Sequence, residues 1–182
     1  MSSTEIELQS DAEIQLVSTP STPAFFPVSL TKFFLLSLCT LGLYQVYWFY
    51  KNWYFVKRRE KSDILPALRS LFGVIFCYWL LKRVSEQSVA SGGKPLPAGL
   101  LAICWIVTNL LWRLPDPYWL VSFLAIIFLL PVQASINSMN ARLAPDHDKN
   151  NHFSGWNIFG LIVGGLFFLL AVIGTFLPAT QV

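Results

Sequence analysis

The stretch T-L-G-L-Y-Q-V-Y-W-F-Y-K-N-W-Y-F-V-K-R-R, from Thr40 to Arg59, contains eight aromatic residues and ends in a run of positive charge. A water-soluble core would have to bury nearly all of these rings, yet Tyr and Trp carry a polar atom that needs a partner and are rarely buried completely. At the headgroup level of a membrane, such a ring lies in apolar surroundings while its polar atom reaches water. The stretch therefore predicts a helix that leaves a bilayer at its carboxyl-terminal end.

The composition of the whole chain indicates the same environment. Hydrophobic residues occupy 54% of the 182 positions and charged residues 13%, whereas about 25% of the residues in a soluble domain are charged. The formal net charge of +3 is too small to indicate nucleic-acid binding. We therefore expect the lipid bilayer, and no nucleic acid, as the main partner.

Uncharged runs divide the chain into hydrophobic segments. Four runs without Asp, Glu, Lys or Arg can each hold all or most of a span of about 20 residues; they are residues 33–50, 95–112, 117–141 and 153–182. These runs are continuously apolar, whereas the strands of a membrane barrel alternate apolar and polar residues. We predict an all-α, polytopic membrane domain at 25–182 with about five hydrophobic segments, near 28–50, 64–84, 98–113, 118–137 and 156–177.

Two of the segments leave alternatives open. Arg69 interrupts the segment 64–81, where ten Leu, Ile, Val and Phe residues favour insertion by roughly 3 to 6 kcal/mol and a central Arg opposes it by roughly 2.5 to 3.5 kcal/mol. This segment either spans the membrane or lies in the interface. In the first segment Gly42 is a plausible bend, and a hairpin there would reverse the side on which the N-terminus lies.

The aromatic and basic residues after the first segment are predicted to form a collar at the membrane surface. Its members are Tyr47, Trp48, Tyr50, Trp53, Tyr54, Lys57, Arg58 and Arg59. Because cytoplasmic loops are enriched in Lys and Arg, residues 51–63 are predicted to be cytoplasmic. Five complete spans would place Lys82, Arg83, Lys94, Arg142 and Lys149 outside, whereas a segment 64–81 that only dips into the cytoplasmic leaflet would place them inside.

Residues 1–24 differ in kind from the rest of the chain. They carry Glu5, Glu7, Asp11 and Glu13, no Lys or Arg, and a stretch rich in Ser, Thr and Pro. Such a segment cannot bury enough apolar surface to fold alone, so we predict a disordered acidic N-terminal tail. The alternative is a strand that docks on a partner.

Polar residues within the apolar segments are candidate functional residues. Gln133, Asn137 and Asn140 follow an i, i+4, i+7 pattern and share one helix face, and Asn109 in the third segment is a candidate partner. Amides in hydrocarbon form hydrogen bonds between helices, which favours a packing role over a polar path. Gly160 and Gly164 form G-x-x-x-G, a pattern that lets two helices approach closely, within this chain or between two copies.

The loop from Pro145 to Asn157 contains both histidines. Asp146, His147, Asp148 and His152 are the candidate metal ligands, but their spacing matches no known ligand or catalytic motif. A solvated turn is therefore favoured, and we predict no metal, no cofactor and no catalytic residue.

A resemblance to a known family follows from the aromatic stretch. Thr40-Leu41-Gly42-Leu43-Tyr44, with the Tyr-Trp pair at 47 and 48, resembles small bacterial inner-membrane proteins catalogued as a domain of unknown function. Pro66 to Phe72 and Leu114 to Trp119 extend the similarity to about residues 27–178. The resemblance implies a multi-pass protein of the bacterial inner membrane, and it implies no activity or cofactor.

These observations favour a non-enzymatic accessory or interaction subunit, which would contact another membrane protein or a second copy of itself. The alternative is a small transporter or channel whose polar path is lined by Asn109, Gln133, Asn137 and Asn140. An enzyme with chemistry at His147 and His152 ranks third.

Overall fold

The computed structural model describes residues 22–177, and this part of the chain is helical and contains no strand. This confirms the all-α prediction for the described residues. The α-helices are α1 (Leu30–Cys39), α2 (Leu43–Glu60), α3 (Pro66–Leu71), α4 (Gly73–Ala90), α5 (Ala98–Leu110), α6 (Ile126–Leu143) and α7 (Gly155–Phe176). Two 3-10 helices, Leu111–Arg113 and Tyr118–Ala125, connect α5 to α6. Residues 1–21 of the predicted acidic tail (1–24) lie outside the described part of the chain.

Helices α1 and α2 form a hairpin. Gly42 has φ +87°, a left-handed conformation that glycine adopts without steric penalty, and it separates the two helices. The Phe33 and Trp48 rings stack at 5.3 Å between centroids, and the Arg59 guanidinium donates to the carbonyl oxygen of Ala24 at 2.9 Å. Phe33 in α1 contacts Trp48 in α2, whereas Ala24, which precedes α1, contacts Arg59 near the end of α2. The two helices are therefore antiparallel. The structure therefore differs from the prediction of one segment over 28–50.

The predicted segment 64–84 is also broken into two helices. Helix α3 packs along α2, and the Arg69 guanidinium lies over the rings of Trp53 and Phe76, at 4.5 and 5.3 Å from their centroids. The chain then turns at Phe72, and α4 continues to Ala90. Arg69 therefore packs against aromatic rings within the bundle.

Helix α4 runs parallel to α2. Its first residue, Gly73, lies against the Phe49 ring, and later in α4 the Arg83 guanidinium pairs with the Glu60 carboxylate at the end of α2. The chain thus returns at Arg83 to the end of the bundle where α2 finishes. Residues 57–61 and 82–83 consequently share one end.

Helices α5 and α6 complete the bundle. Helix α5 starts beside the second half of α4, where the Leu96 N–H donates to Ser85 Oγ at 2.9 Å. It ends near the start of α2, because Trp105 Nε1 donates to Gln45 Oε1 at 2.8 Å. Helix α6 runs back, and Arg142 Nη2 near its end reaches Ser91 Oγ at 3.4 Å.

Helix α7 has no buried residue and lies against α1. A Cβ added at Gly164 would collide with the Cys39 carbonyl oxygen and stand 3.0 Å from its carbon, whereas one at Gly160 would lie 3.9 Å from Thr40 Cγ2. The close approach of the two backbones therefore requires glycine at 164. The tip of the α1–α2 hairpin meets α7 at Gly164, near the middle of that helix.

Two helical stretches of the described chain are long and apolar enough to cross a membrane: Tyr118–Leu143 and Gly155–Phe176. Both overlap the predicted segments 118–137 and 156–177. Helix Leu30–Cys39 and the stretch Ala98–Arg113 are apolar but shorter. The two long helices are compatible with membrane insertion, and five spans are not confirmed.

Candidate functional site

Three of the predicted polar residues converge on a segment outside the helices, Ala24–Val28, which we call the strap. The strap is buried between α2 and α6. Pro23 and Pro27 lack an N–H and favour an extended backbone before them, which explains why this segment is not helical. The polar backbone groups of a buried segment outside the helices need partners, and side-chain amides supply them here.

Asn140 and Gln133 bind opposite parts of the strap. Asn140 Oδ1 accepts from the Ala24 N–H at 2.9 Å, and Asn140 Nδ2 donates to the Phe25 carbonyl at 2.9 Å. Gln133 Nε2 donates to the Val28 carbonyl at 3.2 Å. Both side chains are completely buried, so they hold the strap in place through bonds shielded from water.

Further amides complete this arrangement, which we call the amide clamp. Asn137 Nδ2 donates to the Val28 carbonyl at 2.9 Å, and Asn52 Oδ1 accepts from the Phe26 N–H at 3.1 Å. Trp48 Nε1 donates to Gln133 Oε1 at 2.6 Å, which fixes the orientation of that amide. The clamp consists of Asn52, Gln133, Asn137 and Asn140.

Asn109 is not part of the clamp. Its Nδ2 donates to the Trp105 carbonyl in its own helix at 2.8 Å, and it lines a separate cavity of about 250 Å³ with Gln45 and Leu43. The structure therefore brings Gln133, Asn137 and Asn140 together and leaves Asn109 elsewhere. All four clamp amides bind backbone of the strap, whereas a conduction path needs polar groups that face water.

The predicted collar residues divide between the core and the surface. Trp48 and Trp53 are completely buried, whereas Tyr47, Tyr50 and Tyr54 are exposed. The stacking of Trp48 on Phe33 and of Arg69 on Trp53 accounts for this burial. The eight collar residues therefore do not form one surface.

One end of the bundle, which we call the basic end, contains 11 of the 19 charged residues in the described part of the chain. Its Lys and Arg residues are Lys57, Arg58, Arg59, Lys61, Lys82, Arg83, Lys94 and Arg142, and its acidic residues are Glu60, Asp63 and Glu86. An open cavity of about 460 Å³ at this end is lined by Thr22, Arg58, Arg59, Gln87 and Leu143. Thr22, the first described residue, thus lies beside two arginines.

The arginines of this cavity differ in their surroundings. Arg59 donates to the strap and lies over the Phe25 ring at 4.7 Å, and burial lowers the pKa of its guanidinium. Repulsion from Arg83 acts in the same direction, and Glu60 opposes it. Arg58 is exposed and lies over the Tyr54 ring at 5.9 Å. Arg58 is therefore the guanidinium that a partner can reach.

The opposite end of the bundle exposes apolar side chains. In α4 the exposed residues change from Val74, Ile75 and Trp79 near its start to Lys82 and Glu86 further along. Helices α2 and α6 change in the same direction, with Leu43, Val46 and Ile127 exposed near their starts and Arg58, Ser138 and Arg142 exposed near their ends. The bundle therefore has one apolar end and one basic end.

The loop from Pro145 to Asn157 does not bring the candidate metal ligands together. Among residues 22–177, no group of three or more His, Cys, Asp or Glu residues is placed to hold a metal ion. His147 Nδ1 lies 2.5 Å from the Ala144 carbonyl, and Asp148 accepts from the Asn150 N–H at 2.8 Å. The His152 carbonyl accepts from Lys32 Nζ at 2.7 Å. These contacts tie the loop to itself and to α1.

Sequence reasoning missed Asn52, Gln45, Lys32 and Asn150. Asn52 follows Trp48 by four residues, so the two share one helix face, and this spacing is the signal that could have indicated the role of Asn52. Lys32 and Asn150 lie far apart in the sequence, and nothing in their local pattern links them. Comparison with protein-family models, curated proteins and solved structures finds no match for this chain.

Proposed function

We propose that this protein is a non-enzymatic accessory or interaction subunit of the bacterial inner membrane. Its apolar end lies in the bilayer, and its basic end faces the cytoplasm and contacts a partner. The division of the bundle into an apolar and a basic end is the observation that supports this proposal most directly. Anionic cytoplasmic surfaces and the positive-inside tendency both favour this orientation.

The proposed topology has three crossings and two hairpins that enter from the cytoplasmic side. The crossings are residues 98–113, 118–143 and 155–176, and the hairpins are residues 22–60 and 61–94. The uncharged hairpin tip at Thr40–Gly42 reaches only the middle of α7, which supports a partial insertion. Three crossings place the N-terminus in the cytoplasm and the C-terminus outside.

The proposed contact surface consists of Arg58 with its neighbouring cavity, and the acidic sequence before Thr22 is a second candidate for contact with the partner. Charges that are complementary to those of a partner can recruit it and set its orientation. Electrostatic contacts of this kind are screened by salt. The partner complex should therefore weaken when the ionic strength is raised.

Purification from native membranes in a mild detergent tests the proposed role. We expect a partner in constant stoichiometry with the full chain, and we expect its recovery to fall when Lys57, Arg58 and Lys61 are all replaced by Gln. Deleting residues 2–21 should also reduce recovery, and this deletion leaves the strap intact because the strap begins at Ala24. Arg113→Gln, at the other end of the bundle, is the matched control.

Two results would contradict the proposed role. One is recovery of the same partner by the triple Gln variant and by the wild type. The other is solute flux through the purified chain alone in sealed vesicles, with loss of flux in Asn137→Ala, which would support the transporter instead.

A further inference from the structure

An open cleft of about 460 Å³ lies between α1, α2 and the start of α7. Its lining includes the aromatic residues Tyr44, Tyr47 and Trp156 and the basic residues Lys32 and His152. The lining contains no carboxylate. A cleft with aromatic walls and basic groups is suited to an anion that also carries apolar groups.

Lys32 is a buried cation at the floor of this cleft, with an exposed fraction of 2%. Its ammonium donates to Asn150 Oδ1 and to the His152 carbonyl, both at 2.7 Å. The Asn157 amide oxygen, oriented to satisfy both groups, is a third acceptor at 3.0 Å. All three partners are neutral oxygen atoms, so the ammonium is hydrogen-bonded but forms no direct ion pair with them.

The incomplete compensation of this charge is the central observation. Within residues 22–177, no carboxylate lies within 4.0 Å of the Lys32 ammonium. Burial lowers the pKa of Lys32, and the more distant Asp148 carboxylate, which also accepts from the backbone N–H of Asn150, opposes this only in part. A buried charge that is compensated only in part is destabilising, and an anion in the cleft would offset this.

A second cation lies at the rim of the cleft. Lys51 Nζ is 5.6 Å from the centroid of the Phe26 ring and 5.8 Å from that of Tyr47, and both rings line the cleft. Lys51 is only partly buried, and it lies beside these two lining rings without being part of the lining itself. Two positive charges therefore approach the same volume from different helices.

The position of the cleft indicates which anion it meets. It opens beside Ser154 and Trp156, where the exposed and apolar helix α7 begins. Trp and Tyr favour the headgroup level of a bilayer, and this is where the phosphates of phospholipids lie. The acyl chains of a lipid bound here would extend along α7.

We propose that the cleft binds the phosphate group of an acidic phospholipid, with Lys32 and Lys51 as the two cations. This inference rests on the membrane location given under the proposed function. Tyr44, Tyr47 and Trp156 would surround the glycerol region and exclude water from the phosphate. The basic end is a separate surface, so the site does not depend on the partner of Arg58.

Titration of the purified chain in a neutral detergent tests this proposal. The probes are short-chain phosphatidylglycerol, short-chain phosphatidylcholine and inorganic phosphate, each followed by isothermal calorimetry at one fixed salt concentration. We expect phosphatidylglycerol to bind at least about fivefold more tightly than phosphatidylcholine. Only phosphatidylglycerol carries a net negative charge, which the two lysines attract. Inorganic phosphate should bind more weakly because it has no acyl chains to pack along α7.

Lys51→Gln is the main variant, and Lys57→Gln on the same helix is its control. Lys51→Gln should weaken phosphatidylglycerol binding about fivefold, because one cation near an anionic membrane surface contributes an attraction of about this size. Lys57→Gln should leave it within about twofold, since Lys51 lies over the Phe26 and Tyr47 rings of the cleft and Lys57 lies at the basic end. Lys32→Met should weaken binding more than Lys51→Gln, provided that its circular dichroism spectrum matches the wild type.

Equal affinity for the two lipids would overturn the proposal, and so would equal losses in Lys51→Gln and Lys57→Gln. Binding of inorganic phosphate without binding of phosphatidylglycerol would overturn the lipid as the ligand. Calorimetry uses the purified chain without its partner, so these failures leave the proposed role of the basic end unaffected. In the same way, the triple Gln variant changes only the basic end, so its effect on the partner does not test lipid binding.

Discussion

Helices α6 and α7 are both long and apolar enough to cross a membrane, yet they are held in place by different interactions. In the most apolar part of the stretch that ends with α6, 33% of the residues are buried, whereas none is buried in the most apolar part of α7. Helix α6 presents amides to the strap, and α7 presents a glycine to the backbone of α1. Apolar character therefore predicts the environment of a helix, while a few polar or small residues determine its contacts.

The largest effect is expected when the amide clamp of α6 is broken at Gln133. Gln133→Leu removes the acceptor of the Trp48 indole N–H and the donor to the Phe26 carbonyl, and both of these groups remain buried. Each unsatisfied buried group destabilises by about 1 to 3 kcal/mol, so we expect a loss of about 3 kcal/mol. Thermal unfolding in one detergent measures this, with Ser138→Ala on the exposed face of α6 as control.

The same variant should expose the strap to proteases. If Gln133→Leu unfolds at the wild-type temperature and its strap resists cleavage, the amide clamp does not stabilise the fold. The Ser138→Ala control should change stability by less than about 0.5 kcal/mol, because it is an exposed substitution.

The second effect concerns the glycine contact of α7. Gly164→Ala places a Cβ against the Cys39 carbonyl, so α7 must shift away from α1, and overpacking of this kind destabilises by about 1 to 3 kcal/mol. Gly160→Ala is the matched control, because its Cβ would meet Thr40 Cγ2 at an ordinary contact distance. Equal unfolding temperatures for the two variants would show that α7 does not pack as described.

The smallest effect separates the amides inside and outside the clamp. Asn137→Ala removes one donor from the Val28 carbonyl, which Gln133 still reaches, so we expect a loss of about 1 kcal/mol. Asn109→Ala removes only a bond within its own helix and should cost less than about 0.5 kcal/mol. The reverse order in urea unfolding would contradict the division between the two amides.

The periodic features of the fold could be predicted from the sequence. The i, i+4, i+7 spacing placed Gln133, Asn137 and Asn140 on one face, and the long apolar runs predicted α6 and α7 near their observed positions. The left-handed Gly42 was also recognisable as a bend. These features depend on residues close together in the chain, where pattern and structure are directly linked.

The partners of these residues could not be predicted. The strap lies outside the helices and has no periodicity, so Asn109 was considered as the partner of the amides although their partner is the backbone of Ala24–Val28. The burial of Trp48 depends on Phe33 from the other arm of a hairpin. Hydropathy measures the length of a run and not its direction, so it could not decide between one segment over 28–50 and a hairpin at Gly42.

The side of the membrane on which Lys82 lies tests the central claim of a basic end most directly. A Lys82→Cys variant would be treated with a membrane-impermeant maleimide in intact cells and in inverted membrane vesicles, with the wild type as the background for the native cysteines. Because Arg83 pairs with Glu60, we predict labelling in inverted vesicles only. Labelling of Lys82→Cys in intact cells would contradict the basic end and the topology derived from it.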